Sequence, residues 1–302
     1  MCAVRRGSIA AALVGAVALV AAGCGRPPGV DGDLTNNWPA MPEAKIPVPA
    51  DHACYRTYSA TQDAFARIRD PVECSGPHEV ETVHVGIFTG EDAGRDTPPP
   101  AGGPGRRTAY EDCAASARTF LGDDWRTGRL RLYLTVPPDI YWQAGVRWYR
   151  CDLVAFRDVD EHLPDLPGAS LRGALSGARP YGVGCLNVTV ANGAVQSMVA
   201  VDCATAHNGE LAGVYDAPDV PYPSDAAART AMSAKGCLST IAKFAGVPDD
   251  ANTRYRTGYV TYGFGAQEWA LGNRGVRCYL WRSNKTYTRS LKGAGTGVLP
   301  IN

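Results

Sequence analysis

Residues 142–151 read WQAGVRWYRC and residues 269–278 read WALGNRGVRC, so Trp142, Gly145, Arg147 and Cys151 return as Trp269, Gly272, Arg274 and Cys278 at identical spacing. Upstream, Cys113, Phe120 and Gly122 are answered by Cys237, Phe244 and Gly246, and Cys74, His78 and Glu81 by Cys203, His207 and Glu210. Three matching blocks in the same order read as a tandem duplication. Residues kept in both copies thereby stand out from the filler between them.

Each copy carries the same run of local signals. In the first, Val80 to Phe88 is a strand candidate. A helix from about Thr108 to Leu121 puts Tyr110, Cys113, Ala114, Ala117, Phe120 and Leu121 on one stripe at helical spacing, and Gly122 ends it. In the second, Ser224 is the expected N-cap, Cys237, Ile241 and Phe244 share the stripe, and Gly246 followed by Pro248 stops the helix. Leu130, Leu132, Leu134 and Val136 alternate with polar neighbours, the period of a strand with one wet face, and Val146 to Phe156 is its expected antiparallel partner. The fold class is therefore α+β: two tandem disulfide-stapled modules, each a helix packed on a small antiparallel sheet.

The N-terminus has a secretory layout, with Arg5 and Arg6 before an apolar run from Ile9 to Ala22. Leu19 to Cys24 resembles a bacterial lipobox, with Ala21 where leucine is usual, which implies that Cys24 is lipidated and becomes the mature N-terminus. Twin-arginine export lacks its flanking signal here. The expected divisions are a signal peptide at 1–23, a Pro/Gly-rich tether at 24–51, a first repeat at 52–159, a linker at 160–182, a second repeat at 183–284 and a tail at 285–302. Residues Thr89 to Arg107, with Pro98-Pro99-Pro100 and Gly102-Gly103-Pro104-Gly105, read as an exposed insertion loop.

Ten cysteines less Cys2 and Cys24 leave eight, four per repeat, an even split that favours disulfides in an oxidising compartment. Cys54 with Cys74 and Cys113 with Cys151, copied as Cys185 with Cys203 and Cys237 with Cys278, are the expected pairs, although four cysteines allow three pairings. Basic and acidic residues number 30 each, which gives no electrostatic footprint for nucleic acid.

Four residue types then compete for a chemical role. His78 with Glu81 and His207 with Glu210 invite an acid–base reading, but three apart in an extended segment they face opposite sides. The histidine is expected to order the turn after its cysteine, and the glutamate to reach into the fold. No nucleophile elbow, zinc-binding helix or repeated carboxylate pair accompanies them, so no catalytic residue, cofactor or metal is expected. A metal corner built on Cys74 and His78, or on Cys203 and His207, lacks the close cysteine pair of structural zinc sites. Arg147 shares a strand face with Cys151, as Arg274 does with Cys278, and Glu81 and Glu210 are the expected partners of those arginines. Alternatively Trp142 with Arg147, and Trp269 with Arg274, line a cleft for a sugar or an anionic lipid head.

The Cys-x-x-x-His-x-x-Glu block, the helix cysteine and the Trp-x-x-Gly-x-Arg-x-x-x-Cys block together resemble the septum-formation domain family of actinobacterial cell-envelope proteins. That resemblance implies an exported, membrane-attached, non-catalytic module associated with cell division. The second copy departs from the pattern, lacking the proline that precedes His78 and carrying Asn208-Gly209 in place of Glu79-Val80. Expected partners are envelope or divisome proteins, with the membrane reached through the lipid on Cys24, outside the cytoplasm. A receptor or carrier for a cell-wall glycan or lipid is the alternative.

Overall fold

The computed structural model describes residues 32–33, 39, 47–57, 70–263 and 265–301; the signal segment, Cys24 and most of the tether lie outside them. The chain divides into Met1–Lys45 and Ile46–Asn302, and everything below belongs to the second unit. No helix among the described residues is long and apolar enough to cross a membrane.

Two five-stranded antiparallel sheets follow one another. The first is built from β1 (Cys54–Tyr55), β2 (Pro71–Val72), β3 (Val80–Ile87), β4 (Leu130–Thr135) and β5 (Trp148–Ala155), in spatial order β2-β1-β3-β5-β4. The second uses β6 (Cys185–Ala191), β7 (Ala194–Val201), β8 (Gly209–Asp216), β9 (Gly258–Gly263) and β10 (Gly275–Trp281), in the order β7-β6-β8-β10-β9. Strand for strand the orders correspond. β5 is buried at every position, because β3 and β4 flank it and a helix covers one face.

That helix, α1 (Pro104–Leu121), turns Tyr110, Cys113, Ala117, Phe120 and Leu121 onto the sheet. It begins at Pro104 instead of the expected Thr108, since proline at the first turn sacrifices only an N–H that has no partner there. Gly122 ends it at φ 85°, a left-handed conformation that costs a side-chain-bearing residue strain. The counterpart α3 (Ala226–Ala245) is capped by Asp225, which accepts from the N–H groups of Ala227 and Ala228; the expected cap, Ser224, lies one residue too early. After each long helix comes a short one that carries a tryptophan, α2 (Asp139–Gln143) with Trp142 and α4 (Ala266–Ala270) with Trp269.

Disulfides join Cys54 to Cys74, Cys113 to Cys151, Cys185 to Cys203 and Cys237 to Cys278. The second and fourth bind each long helix to its central strand, across sequence separations of 38 and 41. Loops of that size add about 4 kcal/mol in the chain-entropy account.

Three segments behave differently from their reading as loops. Residues 160–182 place Leu171 and Leu175 in the first core, each 1% exposed, while residues 285–302 place Leu291 and Leu299 in the second. Thr89 to Arg107 contains a one-turn helix, Gly90–Ala93, and buries Pro98 and Pro99.

The two halves meet through charge. Arg277 of β10 is 0% exposed and donates to the carbonyls of Arg126 (2.7 Å), Gly128 (3.0 Å) and Leu130 (3.3 Å) in the first half. Its guanidinium also pairs with Glu161 at 2.6 Å, and Glu161 faces Arg131 of β4 at 3.2 Å.

Candidate functional site

In each half a buried carboxylate holds the segment that follows the sheet. Glu81 is 1% exposed and accepts from the Ser170 hydroxyl and the Leu171 N–H, both at 2.6 Å. Glu210 does the same with the Ser290 hydroxyl (2.5 Å) and the Leu291 N–H (2.7 Å). The histidines stand beside these clamps. His78 Nδ1 lies 2.8 Å from the Gly76 carbonyl, and His207 Nδ1 lies 2.7 Å from that of Thr205.

His78 and Glu81 do not face opposite ways. His78 precedes β3 and sits in the turn, where the two-residue alternation of a strand does not apply, so its Nε2 comes within 3.8 Å of Glu81 Oε2. Burial alone would push the His78 imidazole down, but the Glu81 carboxylate and the Gly76 carbonyl outweigh it and hold it above its ordinary value. Burial would likewise raise Glu81, yet His78, Ser170 and Leu171 hold it below the usual carboxylate range. Ser170 completes a hydroxyl–carboxylate–imidazole order in the first half, and Ser290 repeats the hydroxyl–carboxylate contact in the second. A serine nucleophile needs the imidazole next to the hydroxyl, and here the carboxylate occupies that place.

The Trp–Gly–Arg blocks form a second repeated corner. Trp142 is fully buried and donates from Nε1 to the Arg95 carbonyl at 2.7 Å, and Trp269 donates to the Val220 carbonyl at 2.7 Å. Gly145 and Gly272 turn the chain at φ 94° and 98°. Each arginine then folds back over its tryptophan, Arg147 at 4.1 Å from the Trp142 ring and Arg274 at 5.9 Å from that of Trp269.

Neither arginine reaches the expected glutamate. Arg147 donates to the carbonyls of Ala93 (2.6 Å), Trp142 (2.7 Å) and Val146 (2.8 Å), and Arg274 pairs with Asp219. Both residues precede their strands, which begin at Trp148 and Gly275, so neither shares a strand face with its cysteine. The Ala93 carbonyl comes from the segment expected to be an exposed insertion. The sequence offered no signal that this segment would return to the arginine.

Two recesses open near these corners. One of about 170 Å³ lies beside Trp269, walled by Tyr222, Arg229, Met232, Ser233 and Val276. Another, of about 220 Å³, lies where the halves meet, between Tyr110, Arg118, Trp125 and Arg126 of the first and Asn273 of the second. In the first half, Trp142 with its N–H and the Arg147 donors is turned inward, and no sugar-binding face is open there.

Metal-competent donors gather twice, as Cys54, His78 and Glu81 and as Cys185, Cys203 and Glu210. The sulfurs of both groups are joined in disulfides, which removes the thiolates such a site needs. Ser170 and Ser290 went unnoticed in the sequence because they lie in segments taken for a linker and a tail. Their signal is visible, since Ser170-Leu171-Arg172-Gly173-Ala174 returns as Ser290-Leu291-Lys292-Gly293-Ala294. Arg277 was likewise legible as the counterpart of Arg150, each directly before a disulfide cysteine.

The family model for septum formation matches residues 53–278 in a single span that takes in both sheets. This chain belongs to the septum formation family. No curated protein and no solved structure matches it. In this septum formation protein the matched span begins beside β1 and ends at Cys278, the last of the disulfide cysteines, so it covers all eight.

Proposed function

We propose that this septum formation protein is a non-catalytic lipoprotein, held by Cys24 at the outer face of the cytoplasmic membrane, that acts by binding protein partners of the envelope or division machinery. The observation that carries this reading is the pair of clamps. The repeated acid and imidazole of both halves are closed inside the fold, where the two glutamates hold Leu171 and Leu291 in place, while the Ser170 and Ser290 hydroxyls reach those carboxylates from the surface. Groups spent in this way are not free to meet a substrate, and the fold they secure offers surface instead. The family's description, septum formation, supplies the setting. Arg5, Arg6, the apolar run and the cysteine at its end support the anchor.

Cross-linking in intact cells, detergent purification and mass spectrometry test it. A stoichiometric protein of the wall-building or division machinery is the expected result. The mass of the N-terminal peptide reports the lipid on Cys24, and an unmodified cysteine there would sink the anchor. The second reading, a receptor for a cell-wall glycan or lipid, draws on the recess beside Trp269, where Tyr222 stands edge-on to the indole at 5.6 Å and Arg229 lies over Tyr222 at 5.3 Å. A bound glycan or lipid without a protein partner would favour it.

A further inference from the structure

Charge is unevenly spread along the chain. The totals balance at 30 and 30, yet residues 251–302 carry eight arginines and lysines against a single acid, Glu268. Three of those arginines gather at a recess of about 220 Å³ in the second half. Arg254 and Arg256, from the one-turn helix Thr253–Arg256, meet Arg282 there, from just beyond β10. Tyr255 and Trp281 are further walls, and no acidic residue lines the recess.

Backbone contacts hold these like charges together. Arg282 donates to the Arg256 carbonyl, and Arg256 Nη1 donates to that of Leu299 at 3.1 Å. Neither bond neutralises a charge, so the repulsion among the three guanidinium groups is left for an anion to relieve. Arg256 Nε has no partner among the described residues. Arg254 lies over the Tyr255 ring at 5.0 Å and pairs with no carboxylate among the described residues.

The first half shows the same position closed. Cys151 pairs across its sheet with Leu134, and Cys278 pairs with Thr261, so Arg129 and Arg256, each five residues before that partner, correspond. Arg129 spends its guanidinium on the carbonyls of Phe156 (3.4 Å), Arg157 (2.7 Å) and Pro180 (3.0 Å). Arg256 gives its guanidinium only to Leu299. Four residues past the cysteine, the first half has Ala155 where the second has Arg282. The second copy therefore keeps donors that the first uses up, and adds one.

We propose that this recess binds a phosphate group. Guanidinium forks match phosphate and carboxylate oxygens alike. A carboxylate offers one charge and two oxygens, whereas a phosphate monoester carries nearly two charges on three acceptor oxygens, which suits three arginines around one recess. Tyr255, 48% exposed, gives the rest of the ester an apolar surface to lie on. The phosphate can arrive on a lipid headgroup or in solution. The site is separate from both clamps and does not depend on a lipid at Cys24.

The test follows backbone hydrogen exchange over 253–258 and 281–284 in the purified full chain with phosphatidylcholine nanodiscs. Phosphatidylglycerol in the discs, inorganic phosphate and acetate are then added in separate arms. Slower exchange confined to those two segments is the expected result. If phosphatidylglycerol produces it, the source is a lipid headgroup; if only inorganic phosphate does, the source is soluble, and either outcome supports the site. Arg254→Gln should weaken the protection at least about tenfold in apparent affinity, the loss of one charge-assisted hydrogen bond. The variant should keep the parent's melting temperature, because Arg254 makes no hydrogen bond that the fold needs. Arg95→Gln removes the same charge from an exposed residue of the first half and should bind as the parent does. No protection by either phosphate species, equal protection by acetate, an unaltered Arg254→Gln, or an equal loss in Arg95→Gln would overturn the proposal.

Discussion

Arg277 and Glu161 form an ion pair of 2.6 Å with both side chains closed to solvent, at 0% and 1% exposure, at the seam between the two halves. Arg277 belongs to the second sheet and Glu161 to the segment that joins the sheets, so the halves form one interlocked unit and not two beads on a string. Removing one member strands the other charge in a site without water, which costs about 3 to 5 kcal/mol. Arg277→Met should therefore lower the urea midpoint of the whole unit, and Arg277→Met with Glu161→Leu should recover much of the loss. A drop confined to one half, seen as two separated transitions, would show that the seam does not couple them.

Ser170→Ala removes a hydroxyl from a buried carboxylate, a bond of the charge-assisted kind worth about 1.5 to 3 kcal/mol. Ser290→Ala should cost a similar amount, because Glu210 is held in the same way. Thermal unfolding of the two variants checks both, and an unchanged melting temperature would remove the clamp's structural role.

Arg147→Ala is expected to destabilise by about 2 kcal/mol, since three backbone carbonyls lose their donor and the Trp142 ring loses its cover. Any partner binding should fall only in proportion to the unfolded fraction. A binding loss with unchanged stability would move Arg147 to a contact surface.

Asp124 supplies the pH dependence. Burial would raise its carboxyl, but the Arg126 guanidinium and N–H, together with Arg118, hold it below the usual 3.8. The folded value thus lies under the unfolded one, so the carboxylate contributes stability above about pH 3.8 that is lost as pH falls through the folded value. Asp124→Asn should be less stable than the parent at neutral pH, and the gap should close in acid. A gap that stays constant from neutral to pH 2 would contradict this.

The two-module α+β architecture and the division of eight cysteines into four and four were legible in the sequence alone, because these rest on local periodicity and on positions repeated at fixed spacing; which cysteine joins which was decided by the structure. Helical stripes around Cys113 and Cys237, the glycine stops at Gly122 and Gly246, and the alternating strand from Leu130 are properties of contiguous residues. The tertiary structure alone decided what the repeated polar residues touch. His78 and Arg147 each sit just outside a strand, where alternation no longer predicts direction. Their partners arrive from segments with no periodicity of their own, Ala93 from an apparent insertion and Ser170 from an apparent linker. Burial decided the rest: a carboxylate cut off from water must find donors wherever the chain can bring them, and for Glu81 and Glu210 the chain brought them from parts of the sequence that look like connections, whereas Glu161, itself in such a part, finds Arg131 and Arg277 on strands.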